Sequence, residues 1–524
     1  MKYITQTKLI IMVSIFFIIF GNYSFYANVI NIYPLVGINL LYIASLTTVL
    51  FFFIVFLLTL FSSRYTIKPL LITTLIVSAF TSYFMNSYHV VIDADMIRNT
   101  LQTDMKESLD LLSFQLLITL FFLGILPSYL VYKSNIHYNS FKQEMITKIK
   151  VIFLSLLIII ITIISLSKFY TSFFREHKPL RYYTNPTYWI YSVENYINQT
   201  FNAEPTIVKP LGRDAKIISV ENKPHKLVIM VVGEAVRADH FSLNGYERET
   251  NPLIKKENII NFSNLYSCGT STAHSVPCMF SKFNRDDYSY RKGISNENIL
   301  DILNHTDKVS ILWRDNNSDS KGMALRVPYF DYKHSGTNTM CQEGECRDEG
   351  LLVGLDEYIA KNRGKDIFIV LHQMGNHGPA YYKRYPKEFE QFTPVCQTNQ
   401  LENCSQESIK NAYDNTLLYT DYFLSKTIAL LKQHHTSHDT TMIYMSDHGE
   451  SLGENGLYLH GLPYFMAPDA QTHVASFIWR GENQKQTNIN KEYSHDNLFH
   501  TLLGLFQVQT KVYDKNMDIL KDIK

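Results

Sequence analysis

Between Leu9 and Ser63 the chain carries no charged residue. A helix needs about 20 apolar residues to cross a bilayer core, so this run of 55 residues has room for two crossings. Asn and Pro cluster at Asn28–Pro34, which divides it into spans at 9–29 and 37–61. Three more apolar runs follow, Leu70–Tyr88, Leu112–Tyr132 and Val151–Leu166, giving five expected spans. A cleaved signal peptide fits Lys2, Lys8 and the apolar run after them, but no small-x-small cleavage site appears and four more spans follow.

Charge divides the chain along the same line. Of the first 170 residues 17 are charged, against 80 of the remaining 354. The net charge of +1 lacks the basic excess of a nucleic-acid-binding protein. Lys and Arg mark the cytoplasmic loops of membrane proteins. Here they lie in the N-terminal tail (Lys2, Lys8), between spans two and three (Arg64, Lys68), and between spans four and five (Lys133, Lys142, Lys148, Lys150). The loop after span three is acidic on balance, with Asp93, Asp95, Asp104, Glu107 and Asp110 against Arg98 and Lys106. The expectation is a cytoplasmic N-terminus and an outer C-terminal body.

All six cysteines fall beyond residue 170, as the close pairs Cys268/Cys278, Cys341/Cys346 and Cys396/Cys404. Six cysteines allow 15 connectivities. Neighbour pairing is the simplest, and an oxidising compartment is where such bridges persist. The rival is a metal site, against which stand the absence of CxxC spacing and of a His beside the pairs. Residues 170–224 read as a connector whose aromatic residues suit either a lipid surface or a packed linker.

From Lys226 onward, apolar β-branched runs alternate with helical patterns. The runs are Leu227–Val232, Val309–Trp313, Ile367–Leu371, Met442–Met445 and Val474–Trp479, and the clearest helix is Ser408–Gln433. Such runs read as buried strands of a parallel sheet, so the outer body is an α/β sandwich. Ligand sites in these sheets lie at the carboxyl ends of strands. Three strand ends carry Glu234, then His372 and His377, then Asp447-His448, a set of carboxylates and imidazoles suited to zinc. Gly449 permits the tight loop that two adjacent ligands require. Alone, a strand-end carboxylate is often a helix cap, and a lone His is more often a surface or core residue than a ligand. The segment Ser267-Cys-Gly-Thr-Ser-Thr-Ala-His-Ser-Val-Pro-Cys278 is rich in hydroxyls and leads into an apolar, helix-like stretch. It offers either a nucleophile at a helix N-terminus, where anions bind, or a capping segment stapled by a disulfide.

These motifs resemble the phosphoethanolamine transferases of the alkaline phosphatase superfamily, in particular the lipid A type that includes colistin-resistance enzymes. The matching stretches are Val232-Gly-Glu-Ala-Val-Arg237-Ala-Asp-His-Phe241, the Cys268–Cys278 segment, Trp313-Arg-Asp-Asn-Asn-Ser-Asp-Ser-Lys321 and His372-Gln-Met-Gly-Asn-His-Gly-Pro379. Tyr413-Asp-Asn415, Ser446-Asp-His-Gly-Glu-Ser-Leu-Gly453 and Gly456-Leu-Tyr-Leu-His-Gly461 complete them. The resemblance covers essentially the whole chain. It implies a five-helix transmembrane domain over 1–169, a connector with interfacial helices over 170–224, and a periplasmic catalytic α/β domain over 225–524.

It further implies a zinc held by Glu234, Thr272, Asp447 and His448, with Thr272 as the nucleophile that becomes phosphoethanolamine-loaded. His377 and His460 bind the transferred phosphate, or a second zinc when one is present, and Asn317 and Lys321 contact substrate. It implies disulfides Cys268–Cys278, Cys341–Cys346 and Cys396–Cys404, a phosphatidylethanolamine donor, a lipid A acceptor and a monomer in the bacterial inner membrane. The expected consequence is resistance to cationic peptides such as polymyxin. His274 departs from the family pattern two residues from the nucleophile. A sulfatase-like hydrolase is disfavoured, because Thr272-Ala-His-Ser-Val-Pro-Cys278 lacks the Cys-x-Pro-Ser-Arg type motif that formylglycine requires. Phosphoethanolamine or phosphoglycerol transfer to another envelope acceptor is the alternative. A non-catalytic binding module would be expected to lack a ligand, and none is missing.

Overall fold

A computed structural model describes residues 3–102, 110–200, 207–218, 223–342, 344–481 and 485–522. Lys2, Asp104, Lys106 and Glu107 of the charge argument lie outside these. The chain forms two compact units, Met1–Ile97 with Leu112–Ile197, and Arg98–Leu111 with Asn198–Lys524.

The first unit is helical. Among the described residues, four helices are long and apolar enough to cross a membrane: Asn39–Phe61, Ile67–Ser87, Phe114–Lys133 and Phe141–Ser165. Gln6–Gly21 and Tyr23–Ile32 form a fifth crossing if the pair, bent by 58°, counts as one. The last helix begins ten residues before the apolar run that announces it. Ser140 and Gln143 form a capping box that starts it, and its first turns carry Lys142, Glu144, Lys148 and Lys150. The helix is therefore longer than its apolar span. Lys148 Nζ donates to the carbonyls of Leu60 and Ser62, each at 2.9 Å, filling acceptors that a helix end leaves unpaired. Small polar residues let helices approach closely where lipid supplies no hydrophobic drive. Ser78 and Ser82 are buried on Ile67–Ser87, and the Asn185 amide donates to the Ser78 carbonyl at 3.0 Å and to Ser82 Oγ at 2.8 Å. Beyond Ser165 the chain forms helices at Ser167–Glu176 and Thr187–Thr200, with a 3-10 segment at Lys178–Tyr183 between them.

The second unit is built on an eight-stranded sheet. In chain order its strands are β1 (His225–Gly233), β2 (Ile259–Phe262), β3 (Val309–Asp315), β4 (Tyr329–Asp331), β5 (Asp366–His372), β6 (His438–Ser446), β7 (Ser476–Trp479) and β8 (Thr487–Ile489). Their spatial order is β8-β2-β7-β6-β1-β5-β3-β4. Sequence places five strands in a parallel sheet. The structure adds β2, β4 and β8, which have only three or four residues each. It also makes β7 antiparallel to both neighbours.

The central strand β1 is buried without a break from Leu227 to Gly233. Alternate side chains point to opposite faces. Val228, Met230 and Val232 join a core that includes the helices Ile299–His305 and Leu498–Leu505. Leu227, Ile229 and Val231 join the other core, against the 29-residue helix Gln406–His434. A continuous apolar run is what two covered faces demand. Removing the Ile229 side chain from the middle of this sheet should cost about 2–5 kcal/mol. Ile229→Ala is therefore expected to lower the thermal midpoint of the detergent-solubilised chain by about 5 °C or more, read by differential scanning fluorimetry.

Candidate active site

The sheet register aligns four strand ends. His372 of β5 pairs with Val232 of β1 and with Asp315 of β3, and Ser446 of β6 pairs with Gly233 of β1. The residues just past these ends therefore emerge side by side. Glu234 follows β1, Asn317 lies two residues past β3, His377 five past β5, and Asp447 and His448 directly follow β6. The nucleophile candidate comes from elsewhere. Thr272 opens the helix Thr272–Met279, with Ser271 at its N-cap.

These groups converge. Thr272 Oγ1 donates to Glu234 Oε2 at 3.0 Å and lies 3.3 Å from His448 Nε2. His448 Nε2 lies 3.4 Å from both Glu234 Oε1 and Asp447 Oδ2. One ligand atom from each of Glu234, Asp447 and His448 falls within 4.8 Å of the others, and all three residues are buried. Each is also held by what surrounds it. His448 Nδ1 donates to the Gly449 carbonyl at 2.8 Å, which orients the ring so that Nε2 faces the site. Asp447 Oδ1 accepts the N–H groups of Ala235 at 3.1 Å and His448 at 2.7 Å, while its Oδ2 is buried with no hydrogen-bond partner. Asn317 Nδ2 donates to Glu234 Oε2 and to the Gln373 carbonyl, both at 2.9 Å. An orphaned carboxylate oxygen facing two further oxygens and an imidazole nitrogen fits a divalent cation of the zinc type.

Electrostatics agree. Burial opposes ionisation of Glu234, but His448 and His377 outweigh it and hold the carboxyl well below its usual range. Burial and the charge of Glu234 push Asp447 up to about 6. Burial opposes a charge on His448, yet Asp447 and Glu234 raise it to about 10. Two buried carboxylates thus call for positive charge at one point.

Two further histidines face this group. His377 Nδ1 lies 3.0 Å from Glu234 Oε1. His460 Nδ1 lies 3.1 Å from Glu450 Oε2, and its ring is 4.2 Å from that of His448 and 5.8 Å from that of His377. His448, Glu450 and His460 form a second group whose ligand atoms lie within 4.8 Å of one another. Glu450 was not singled out by sequence, although it stands two residues after His448 in the same motif. Its Oε1 is buried and unpartnered. Lys321 is 6% exposed, has φ +48° and leaves its Nζ buried without a hydrogen-bond partner.

The surrounding loops are braced by residues distant in sequence. Ser275 Oγ donates to the Asp447 carbonyl at 2.5 Å, tying the helix that opens on Thr272 to the loop that carries Asp447 and His448. Asp348 accepts the N–H groups of Met374 at 2.9 Å and Gly375 at 3.1 Å, shaping the turn that presents His377. Arg384 Nε donates to the His377 carbonyl at 2.8 Å, and its other nitrogens pair with Glu345 at 2.8 Å and Asp110 at 2.9 Å. Tyr413 Oη accepts from Arg237 N at 3.0 Å and donates to the Ala235 carbonyl at 2.7 Å, fixing the turn after β1. The Tyr413-Asp-Asn415 motif is thus a brace and not a ligand set. Asp414 receives His240 and Arg248, and Asn415 Oδ1 accepts two backbone N–H groups. Disulfides join Cys268–Cys278, Cys341–Cys346 and Cys396–Cys404, and the first closes over the start of the Thr272–Met279 helix.

Comparison with known proteins places this geometry. Residues 226–508 match the sulfatase family model, and residues 50–201 match the model for phosphoethanolamine transferases EptA/EptB. Phosphatidylethanolamine transferase Mcr-2 of Escherichia coli is 45% identical over 517 residues, covering 96% of each chain. Phosphoethanolamine transferase EptA of Escherichia coli K12 is 40% identical, over 95% of this chain and 94% of its own. The solved structure of the integral membrane lipooligosaccharide phosphoethanolamine transferase A from Neisseria meningitidis superposes with a TM-score of 0.94 at 34% identity, covering 99% of both chains. With an N-terminal helical membrane unit, an alkaline-phosphatase-like α/β unit and relatives this similar over nearly their whole length, the chain belongs to the phosphoethanolamine transferase family.

Proposed function

We propose that this protein transfers phosphoethanolamine from phosphatidylethanolamine to a phosphate of lipid A by way of a covalent Thr272 intermediate. The observation that carries the reading is the Thr272 hydroxyl, hydrogen-bonded to Glu234 among three buried groups of matching ligand type. Glu234, Asp447, His448 and Thr272 hold one zinc, and His377 and His460 hold the transferred phosphate or a second zinc. Zinc there offsets the charge building on the phosphoryl group and eases deprotonation of a hydroxyl.

The protein's own groups do the rest. Thr272 Oγ1 passes its proton to the imidazole of His377 or His460 and attacks phosphorus; the new O–P bond forms as the bond from phosphorus to the glycerol oxygen breaks. The departing diacylglycerol oxygen takes up that same proton from the imidazole. The loaded Thr272 is then attacked by an oxygen of a lipid A phosphate, and the proton of that phosphate passes to Thr272 as its bond to phosphorus breaks. Lys321, a buried ammonium without a partner, suits the anionic phosphodiester. Asn317 serves substrate through Glu234, which it holds in place.

Both substrates are lipids, and the helical unit keeps the enzyme in the membrane that contains them. The arginines and lysines of the loops support a cytoplasmic N-terminus and a periplasmic catalytic unit, where the three disulfides persist. The domains run 1–169, 170–224 and 225–524, and the working form is a monomer. Adding phosphoethanolamine to lipid A masks negative charge and adds an amine, weakening attraction to cationic peptides.

In cells, Thr272→Ala should give no modified lipid A by mass spectrometry and no rise in polymyxin tolerance; modified lipid A at normal levels would remove Thr272 as nucleophile. A Cβ on Gly449 would lie 2.1 Å from the Ala470 carbonyl oxygen, so the loop presenting Asp447 and His448 has no room for it. Gly449→Ala is expected to lower zinc content below half of the wild-type value, measured by plasma mass spectrometry on the purified chain. Lys321→Ala should raise KM for the donor about tenfold while zinc content stays unchanged.

A further inference from the structure

His495 lies outside every motif discussed above, and it is fully buried. It follows the two-residue strand Tyr493–Ser494, which pairs in parallel with Leu265–Tyr266. Ser494 and Asn497 form a capping box that sets the 3-10 turn carrying it. Its two ring nitrogens meet two different parts of the site. Nδ1 accepts the N–H of Cys268 at 3.1 Å, and Nε2 donates to the carbonyl of Ser446 at 2.9 Å. Cys268 starts the disulfide-bracketed segment that ends in the Thr272 helix. Ser446 is the last residue of β6, directly before Asp447 and His448. One imidazole therefore spans the peptide leading to the nucleophile and the peptide leading to the metal ligands.

The bridge works in one tautomer only, with the proton on Nε2 and the lone pair on Nδ1. Burial pushes the ring down to about 3, which agrees with a neutral ring. Among the described residues, the Thr272–His448 approach and the hydrogen bond from Ser275 Oγ to the Asp447 carbonyl also tie these two segments. An apolar residue of similar volume would fill the space but leave a buried N–H and a buried carbonyl unpaired.

Resting on the proposed two-step transfer, we infer that His495 is a positioning residue: by bridging Cys268 and Ser446 it sets the distance of Thr272 from Asp447 and His448. Displacement of reacting groups by about 1 Å can cost about a hundredfold in rate. The requirement is for one acceptor and one donor at the two ends of a flat group, which a glutamine amide also supplies.

The test uses the full-length chain in detergent micelles, a headgroup-intact fluorescent phosphatidylethanolamine and lipid A. His495→Phe should lower kcat at least tenfold with KM within about twofold, zinc content unchanged. His495→Gln should recover kcat to within about threefold of wild type. His495→Asn, too short to reach both peptides, should stay as low as His495→Phe. Wild-type kcat in His495→Phe, or a glutamine variant as slow as phenylalanine, overturns the inference. If His495→Phe does not fold, the glutamine and asparagine variants decide: equal rates overturn it and a tenfold gap supports it. Wild-type protein unable to cleave the donor would overturn the proposed transfer reaction itself, a result distinct from any of these.

Discussion

Everything in the catalytic unit is arranged around the cost of holding Glu234 and Asp447 together, both fully buried. Two carboxylates in a low-dielectric interior repel strongly, and neither can lean on water. Glu402 shows what a carboxyl without help does: both its oxygens are buried without partners and burial raises its pKa, favouring the neutral acid. The site carboxylates are treated differently. Glu234 takes hydrogen bonds from Thr272 and Asn317 and sits beside two imidazoles. Asp447 takes two backbone N–H groups on one oxygen and keeps the other bare. Such a pair is costly to hold charged, and a cation shared between the two would offset that cost.

That constraint explains what sequence reveals. Strand ends are readable because a buried parallel strand is a run of apolar residues, and the polar residue that breaks the run marks the carboxyl edge. Glu234 and Asp447-His448 are found in this way, and register alone brings them together. Thr272 is only half readable: its hydroxyl-rich segment reads equally well as a capping turn, and the family resemblance decides between the two. The braces are not readable. Asp110, Ser275, Asp348, Arg384 and His495 each act on a residue far away in the chain, and no local pattern distinguishes them from ordinary polar residues. Glu450 sits inside a quoted motif and still escapes notice, because its role depends on His460 folding back against it.

The fold shows the same division between local and distant signals. Five sheet strands announce themselves as apolar runs, while β2 is interrupted by Asn261, β4 is Tyr-Phe-Asp and β8 is Thr-Asn-Ile. The direction of β7 is invisible in sequence, since an apolar run of four residues reads the same both ways. In the helical unit the apolar runs mark where lipid begins, not where the helix does. Phe141–Ser165 starts in a charged, capped segment, and helical hydrogen bonding continues across the change of solvent.

Solvent also separates how the two units spend their polar groups. In the helical unit the buried polar side chains are mostly neutral hydroxyls and amides, such as Ser78, Ser82 and Asn185. An imperfect partner there costs about 1–3 kcal/mol at most. In the catalytic unit, the orphaned atoms around the site include those of Asp447, Glu450 and Lys321, whose charged forms cost far more to bury alone. Folding by itself gives no reason to keep them there. A divalent cation for the carboxylates and a phosphodiester for the ammonium are complementary in charge to these groups. The charged groups that are costliest to bury alone in this unit are thus the ones proposed to bind metal and substrate.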